Sequence, residues 1–140
     1  MIKSFFYIAL LIIFNFSCSP FKQNQKKLPG TWKVAEVRIE DGEGFVFYDS
    51  TAQGSFDIDG AYINGKTVYS YSYFGQYEVT DSVILNAFKY TLTANGEQLF
   101  IERPTDTLQA KIIMLTKDKL TFEFYDFLQY RLKRFSCTRQ

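Results

Sequence analysis

The sequence predicts an all-β domain, folded as a single antiparallel up-and-down barrel of about eight to ten short strands. From residue 30 onward, short stretches of alternating apolar and polar residues follow one another, as expected for strands with one buried face. Turn residues separate these stretches at hairpin spacing, most clearly Asn64-Gly65 and Asn95-Gly96. No segment has the apolar period and the length of a core helix.

The first expected strand, residues 31–39, changes its apolar face at Val34 and Ala35, which predicts a β-bulge at that point. Further short runs with this period lie at residues 44–48, 54–58, 67–74, 76–80, 83–86, 88–94, 98–102, 108–115, 120–125 and 128–134. Closing such a meander into a barrel removes its exposed edges. A sandwich of two sheets is the alternative, and the regular hairpin spacing favours the barrel.

Alternation justifies the middle strands, and residues 67–74 show it most clearly because Tyr69, Tyr71 and Tyr73 share one face. We expect this tyrosine ladder to stabilise the sheet through cross-strand aromatic pairs. A contact surface for a carbohydrate or a protein is the alternative role of such a ladder.

The C-terminal strands follow the same period. Residues 98–102 end before Pro104, which has no N–H to donate to a sheet. Residues 120–125 place Leu120, Phe122 and Phe124 on one face. The last alternating set is Leu128, Tyr130, Leu132 and Arg134.

Length and charge exclude several functions. The chain of 140 residues predicts one domain, and its 16 Lys and Arg nearly balance its 15 Asp and Glu. This balance argues against a nucleic-acid partner and against electrostatic capture by a membrane surface. The 15 Phe, 10 Tyr and single Trp are expected to dominate one core.

The residue types also argue against catalysis and metal binding. The chain has no histidine and only two cysteines. The run from Asp57 to Gly60 hints at a calcium loop but lacks the bidentate glutamate of such loops. Glu123 with Asp126 or Glu102 could form a carboxylate pair, and solvent exposure of Glu123 is the simpler interpretation. We expect no enzyme, no cofactor and no metal site.

The N-terminus predicts export. Lys3 precedes an apolar run at residues 5–14, which is long enough for a signal peptide and too short to span a bilayer. Residues 1–17 are therefore expected to be removed. Residues 18–27 are polar, and we interpret them as a tether that reaches roughly 30 Å when extended at ~3.3 Å per residue.

Ser17-Cys18, followed by Ser19, resembles the cleavage site of bacterial lipoproteins. That resemblance implies lipidation of Cys18 and anchoring of the protein in the membrane, expected to be the outer membrane of a Gram-negative bacterium. The alternative is a disulfide between Cys18 and Cys137, because exported compartments are oxidising.

Residues 28–34, LPGTWKV, resemble the first strand of lipocalin-like domains in bacterial lipoproteins. The stretches Gly75-Gln76-Tyr77 and LTKDKLTF, residues 115–122, extend this resemblance. It implies a barrel over residues 28–140 with one closed end, plugged by Trp32 of the Gly30-x-Trp32 pattern. It further implies a basic residue of the last strand over that tryptophan, here Arg134 or Arg131.

The resemblance also implies a function. We expect an exported module that binds a small apolar ligand in a cavity lined by Phe45, Phe47, Tyr71, Tyr90 and Phe122. The alternative is a structural or protein-interaction lipoprotein whose barrel is filled by these rings. Whether the rings line a void or pack against one another distinguishes the two.

Overall fold

The computed structural model describes residues 19–73 and 77–140, so the predicted signal peptide and the predicted lipidation of Cys18 lie outside the described residues. One short helix, α1 (Pro20–Lys27), precedes the strands. The strands are β1 (Gly30–Asp41), β2 (Val46–Asp49), β3 (Gln53–Ile58), β4 (Tyr62–Tyr73), β5 (Tyr77–Leu92), β6 (Gln98–Glu102), β7 (Thr107–Leu115), β8 (Lys119–Asp126) and β9 (Arg131–Arg139). Within the described ranges no helix has the length and apolar character needed to cross a bilayer.

The predicted all-β, up-and-down barrel is confirmed. Consecutive strands pair antiparallel from β3 to β9, and β9 returns to pair with β1. Strands β2 and β3 lie one after the other along the same edge of β1, so the nine strands close a ring of eight. The predicted bulge is also present, since the β1–β9 register shifts between Val34 and Glu36.

Turn chemistry predicted some connections correctly and others wrongly. Asn95-Gly96 does form a turn, in which the Gly96 N–H donates to the Thr93 carbonyl at 2.8 Å. The turn expected at Asn64-Gly65 is wrong, because both residues lie inside β4. Gly65 is needed there for close packing: a Cβ atom would lie 2.1 Å from the carbonyl oxygen of Ser55 on β3.

The predicted tether is wrong as well, because residues 20–27 form α1. The side chain of Ser19 accepts from the Lys22 N–H at 3.4 Å, and Pro20 occupies the first turn. Asn24 Nδ2 donates to the Gly96 carbonyl at 2.8 Å, which ties the helix to the β5–β6 turn. Leu28, at the end of the helix, is 1% exposed. The segment therefore packs against the barrel, and its helical part is only about 12 Å long.

The middle of the barrel is filled by aromatic rings centred on Phe135 of β9. Phe122 and Phe124 stack on it with ring centroids at 5.4 and 5.7 Å. Phe56 and Tyr69 meet it edge-on, each with centroids 6.0 Å away. These five rings, which we call the ring cluster, separate the two ends of the barrel.

Candidate functional site

The end of the barrel beside α1 is closed by Trp32, which is fully buried. Its Nε1 donates to the Leu28 carbonyl at 2.7 Å. Cζ of Arg139 lies 4.2 Å from the Trp32 ring centroid. The same guanidinium donates to the carbonyls of Pro29 at 2.7 Å, Lys117 at 2.7 Å and Lys27. A cation on the indole face and three satisfied carbonyls therefore seal this end.

The predicted partner of Trp32 was wrong. Arg134 points outward and pairs with Glu123, with Nη2 and Oε2 2.6 Å apart. Arg131 lies at the opposite end, with its Cζ 4.9 Å from the Tyr71 ring centroid. Strand parity explains the difference, because successive side chains of β9 point to opposite faces and Arg134 falls on the outer one. Arg139 lies beyond the YRLKRF segment in which the partner was sought.

Gly30 belongs to the same closed end. It has φ +143°, and a Cβ atom there would lie 2.2 Å from Nη1 of Arg139. The Gly30-x-Trp32 pattern thus combines a ring that plugs the barrel with a glycine that leaves room for the guanidinium over it.

The opposite, open end contains a buried ion network. Lys133 is 2% exposed, and its Nζ contacts Asp81 Oδ2 at 2.9 Å and Asp126 Oδ2 at 2.8 Å. The Tyr69 hydroxyl donates to Asp81 Oδ2 at 2.9 Å. Four strands, β4, β5, β8 and β9, supply these four residues, which we call the lysine network. The network therefore holds much of the open half of the wall together.

Burial and hydrogen bonding have opposite effects on the pKa values of the carboxyls in this network. Partial burial favours the neutral form of Asp81 and Asp126, but hydrogen bonds from Lys133 and from backbone N–H groups outweigh it and lower the pKa of both carboxyls. Burial, followed by the charge of Asp81, raises the pKa of Tyr69 far above its usual range. The carboxylates are thus held ionised and the phenol is held neutral, as a hydrogen-bond donor.

The five residues predicted to line a cavity do not meet in one place. Phe122 lies in the ring cluster, where it also contacts Phe56 at 5.6 Å between centroids. Tyr90 lies toward the closed end, where its hydroxyl donates to the Asp59 carbonyl. Phe45 is 47% exposed. Only Phe47 and Tyr71 come together, at the open end, with ring centroids 5.6 Å apart.

The outer wall offers a groove as well. A cavity of about 640 Å³ lies beside β7 and the β8–β9 turn. Outward-facing Gln109, Lys111 and Glu123 line it, together with Phe127 and Leu128, which are 76% and 93% exposed. This space borders exposed side chains of the outer wall, and it also borders Phe124 of the ring cluster and the buried Leu108.

Sequence reasoning missed the lysine network because a lysine in a strand is expected to face water. The sequence did contain one indication that Lys133 faces inward. Phe135 and Cys137 lie on the same face of β9 as Lys133, and both are buried. The competing face carries Leu132 and Arg134 and is of similar polarity, so alternation alone did not choose between them.

Comparison with known proteins identifies the family of this chain. A family model described as "Lipocalin-like domain" matches residues 28–122. Among solved structures, a de novo designed fluorescence-activating β-barrel is 12% identical, with a TM-score of 0.41, over 83% of this chain and 96% of that chain. A redesigned β-barrel is 13% identical, with a TM-score of 0.42, over 84% and 95%. No curated protein matches. The family match runs from Leu28 through Trp32 into β8, and the chain therefore belongs to the family of lipocalin-like domains.

Proposed function

We propose that this chain is an exported, lipid-anchored lipocalin-like module that binds a small apolar ligand at the open end of the barrel, on Phe47 and Tyr71. The observation that carries this proposal is the division of the interior. The ring cluster fills the middle of the barrel, whereas the Phe47–Tyr71 pair lies beyond it, toward the mouth. A ligand would therefore sit in the mouth and not deep inside.

The chemistry of the mouth suits a flat apolar molecule. Phe47 is half-buried and Tyr71 is 6% exposed, so their rings supply apolar area that is already ordered. The Arg131 guanidinium lies over the Tyr71 ring, with Cζ 4.9 Å from its centroid. An aromatic or other planar ligand would extend this stack of planar groups at little cost in side-chain entropy.

We propose binding and not catalysis. The chain has no histidine, and no cluster of metal-ligating side chains occurs in residues 19–73 and 77–140. The charged groups of the lysine network are engaged with one another. This supports a binding module that needs no cofactor.

The anchor belongs to the same proposal. Cys18 immediately precedes Ser19, the N-cap of α1, and α1 packs on the closed end. Acyl chains on Cys18 would keep the closed end near the membrane, here proposed to be the outer membrane of a Gram-negative bacterium, with the mouth facing away. Intact mass of the membrane-extracted protein, with Cys18→Ala as control, tests this part: acyl mass on a chain beginning at Cys18 is expected. A Cys18–Cys137 disulfide would instead remove two hydrogens.

Ligand binding is tested by titrating the protein with the uncharged apolar fluorophore N-phenyl-1-naphthylamine. We expect saturable binding that Tyr71→Ala weakens about tenfold, the effect of losing one central aromatic contact. Tyr48→Ala is the matched control, since Tyr48 is 61% exposed on the neighbouring strand β2 and should leave the affinity unchanged. Equal effects of the two variants would contradict the proposal.

A second candidate is an interaction module with a filled barrel. The observation favouring it is the β8–β9 turn, where Phe127, Leu128 and Tyr130 are between 70% and 93% exposed. In the same titration, loss of fluorophore binding in Phe127→Ser/Leu128→Ser, with Tyr71→Ala unaffected, would place the apolar site on the outer wall and favour this function.

A further inference from the structure

Charge is divided unequally between the two ends of the barrel. The closed end presents a set of exposed lysines on α1 and around the β7–β8 turn, which we call the lysine face: Lys22, Lys26, Lys27, Lys117 and Lys119. Helix α1 contains no acidic residue, and Asp118 is the one acid between Lys117 and Lys119. Charge within these two segments is therefore strongly positive.

The two segments form one continuous surface because Arg139 joins them. Its Nε donates to the Lys117 carbonyl at 2.7 Å, and its Nη2 donates to the Lys27 carbonyl. Backbone atoms of the helix end and of the turn thus share one guanidinium. The contacts of α1 with Gly96 and of Leu28 with the barrel keep the helix in place.

The open end is acidic. Its strand ends and turns carry Glu40, Asp41, Glu43, Asp49, Glu78, Asp81, Glu102, Asp106 and Asp126. Four of these acids are neutralised in part: Glu40 by Arg38, Asp106 by Arg103, and the Asp81–Asp126 pair by Lys133. The closed end also carries the acids Asp57, Asp59 and Glu97, so its positive charge is concentrated on the lysine face, whereas acids outnumber bases at the open end. The near-zero charge balance of the whole chain conceals this division.

The remaining N-terminal residues join the molecule at the lysine face. Residues 1–18 connect directly to Ser19, at the start of α1. Both the apolar run at residues 5–14 and Cys18 are therefore joined to the described part of the chain beside this positive surface. Apolar or acylated anchors are often reinforced by basic residues beside them, because one lipid chain alone binds a membrane only weakly.

We propose that the lysine face docks on an anionic lipid bilayer and holds the barrel upright, with its acidic open end directed away from the membrane. This inference rests on the proposed membrane anchoring. At the surface, lysines within a Debye length of about 8 Å are attracted by the lipid headgroups. The acids of the open end are repelled by the same charge. Attraction at the closed end and repulsion at the open end therefore both favour the upright orientation.

The docking is tested without the lipid anchor, on the mature chain that begins at residue 18 and carries Cys18→Ser. Co-sedimentation with phosphatidylcholine vesicles, with and without phosphatidylglycerol, measures its affinity. We expect binding only to the phosphatidylglycerol vesicles. Lys26→Gln/Lys27→Gln/Lys117→Gln should weaken it by about a hundredfold, at about fivefold for each lysine near the surface. These lysines are exposed, and Arg139 bonds only to backbone atoms of Lys27 and Lys117, so the fold should persist.

The matched control is Arg38→Gln/Lys66→Gln/Arg134→Gln, which removes the same charge from parts of the barrel wall away from α1 and the β7–β8 turn and should change the affinity little. Equal losses in the two triple variants, or equal binding to both kinds of vesicle, would overturn the proposal. Acyl mass at Cys18 is measured separately. If Cys18 carries no acyl mass, the proposed anchor is wrong, and lysine-dependent vesicle binding still supports the lysine face. If Cys18 is acylated but the lysine variants bind vesicles as tightly as the parent chain, the proposal for the lysine face is wrong.

Orientation is tested on the same chain with a fluorophore attached at Asp118→Cys or at Leu128→Cys. A quencher carried by the lipid should quench the first and leave the second bright, since Leu128 lies in the β8–β9 turn of the open end. Cys137 is 3% exposed and should escape labelling. Equal quenching at the two positions would contradict the upright orientation.

Discussion

The closed and open ends of this barrel are stabilised by different chemistry. At the closed end, the Trp32 indole and the Arg139 guanidinium contact one another and donate to backbone carbonyls, and no carboxylate takes part in these contacts. At the open end, Lys133 is held by the carboxyls of Asp81 and Asp126, whose lowered pKa values mean that they become protonated only in acid. The stability that the closed end contributes is therefore expected to vary little with pH. The open end can respond to pH and to molecules that reach the mouth.

The largest expected effect is at the closed end. Trp32→Ala should lower the free energy of unfolding by about 3–5 kcal/mol, because it opens a large cavity and leaves the Leu28 carbonyl without its donor. Trp32→Phe keeps most of the packing and should cost less than half as much. Urea denaturation measures both. A loss below about 1 kcal/mol for Trp32→Ala would show that the tryptophan is not the plug.

At the open end, Lys133→Met should cost about 2–3 kcal/mol. This is less than the 3–5 kcal/mol of a fully buried broken pair, because Asp81 and Asp126 are 18% and 21% exposed and water can reach them. Adding Asp81→Asn and Asp126→Asn should restore part of the loss, since two uncompensated charges are removed. If the triple variant is less stable than Lys133→Met, the two carboxylates do not depend on the lysine as inferred.

Variants at the two ends should also differ in how their stability depends on pH. The pKa values of Asp81 and Asp126 are lowered in the folded protein, so the stability they contribute is present above their unfolded value of about 3.9 and is lost as pH falls through the folded values. We expect urea midpoints that fall steeply below about pH 4. In Lys133→Met this fall should be shallower, whereas in Trp32→Phe it should match the parent protein. If the urea midpoints of all three proteins fall in parallel as pH is lowered, the lysine network is not the origin of the pH dependence.

The smallest effect distinguishes two arginines of β9. Arg139→Gln should cost about 1–2 kcal/mol through the lost cation–π contact and carbonyl bonds at Trp32. Arg134→Gln removes a surface pair with Glu123 and should cost about 0–1 kcal/mol. Thermal denaturation of the two variants side by side provides the comparison. A larger loss for Arg134 would restore the partner predicted from the sequence.

Local sequence patterns predicted local features well. The bulge after Val34 and the Asn95-Gly96 turn were both visible as changes of period or as turn chemistry. Predictions that depended on neighbouring strands were less successful. The Asn64-Gly65 pair has the residues of a hairpin turn, yet it lies within β4 because Gly65 packs against Ser55 and Phe56 of β3.

The candidate site was harder to predict than the fold. Phe47 and Tyr71 come together, but Phe122 is part of the ring cluster and Tyr90 lies toward the other end. Each strand face could be inferred from alternation, but the height of a residue within the barrel depends on strand register. Register is set by pairing with neighbours and is not a property of any one strand.

The sequence alone determined the all-β class, the number of strands within narrow limits, and the Gly30-x-Trp32 start of the barrel, because alternation, turn residues and a short motif are local properties of the chain. Only the tertiary structure decided that residues 20–27 form a helix on the closed end, that Arg139 covers Trp32, and that Lys133 lies inside. These outcomes depend on contacts between residues far apart in the chain. A buried lysine is stable only where its strand register brings two carboxylates to it.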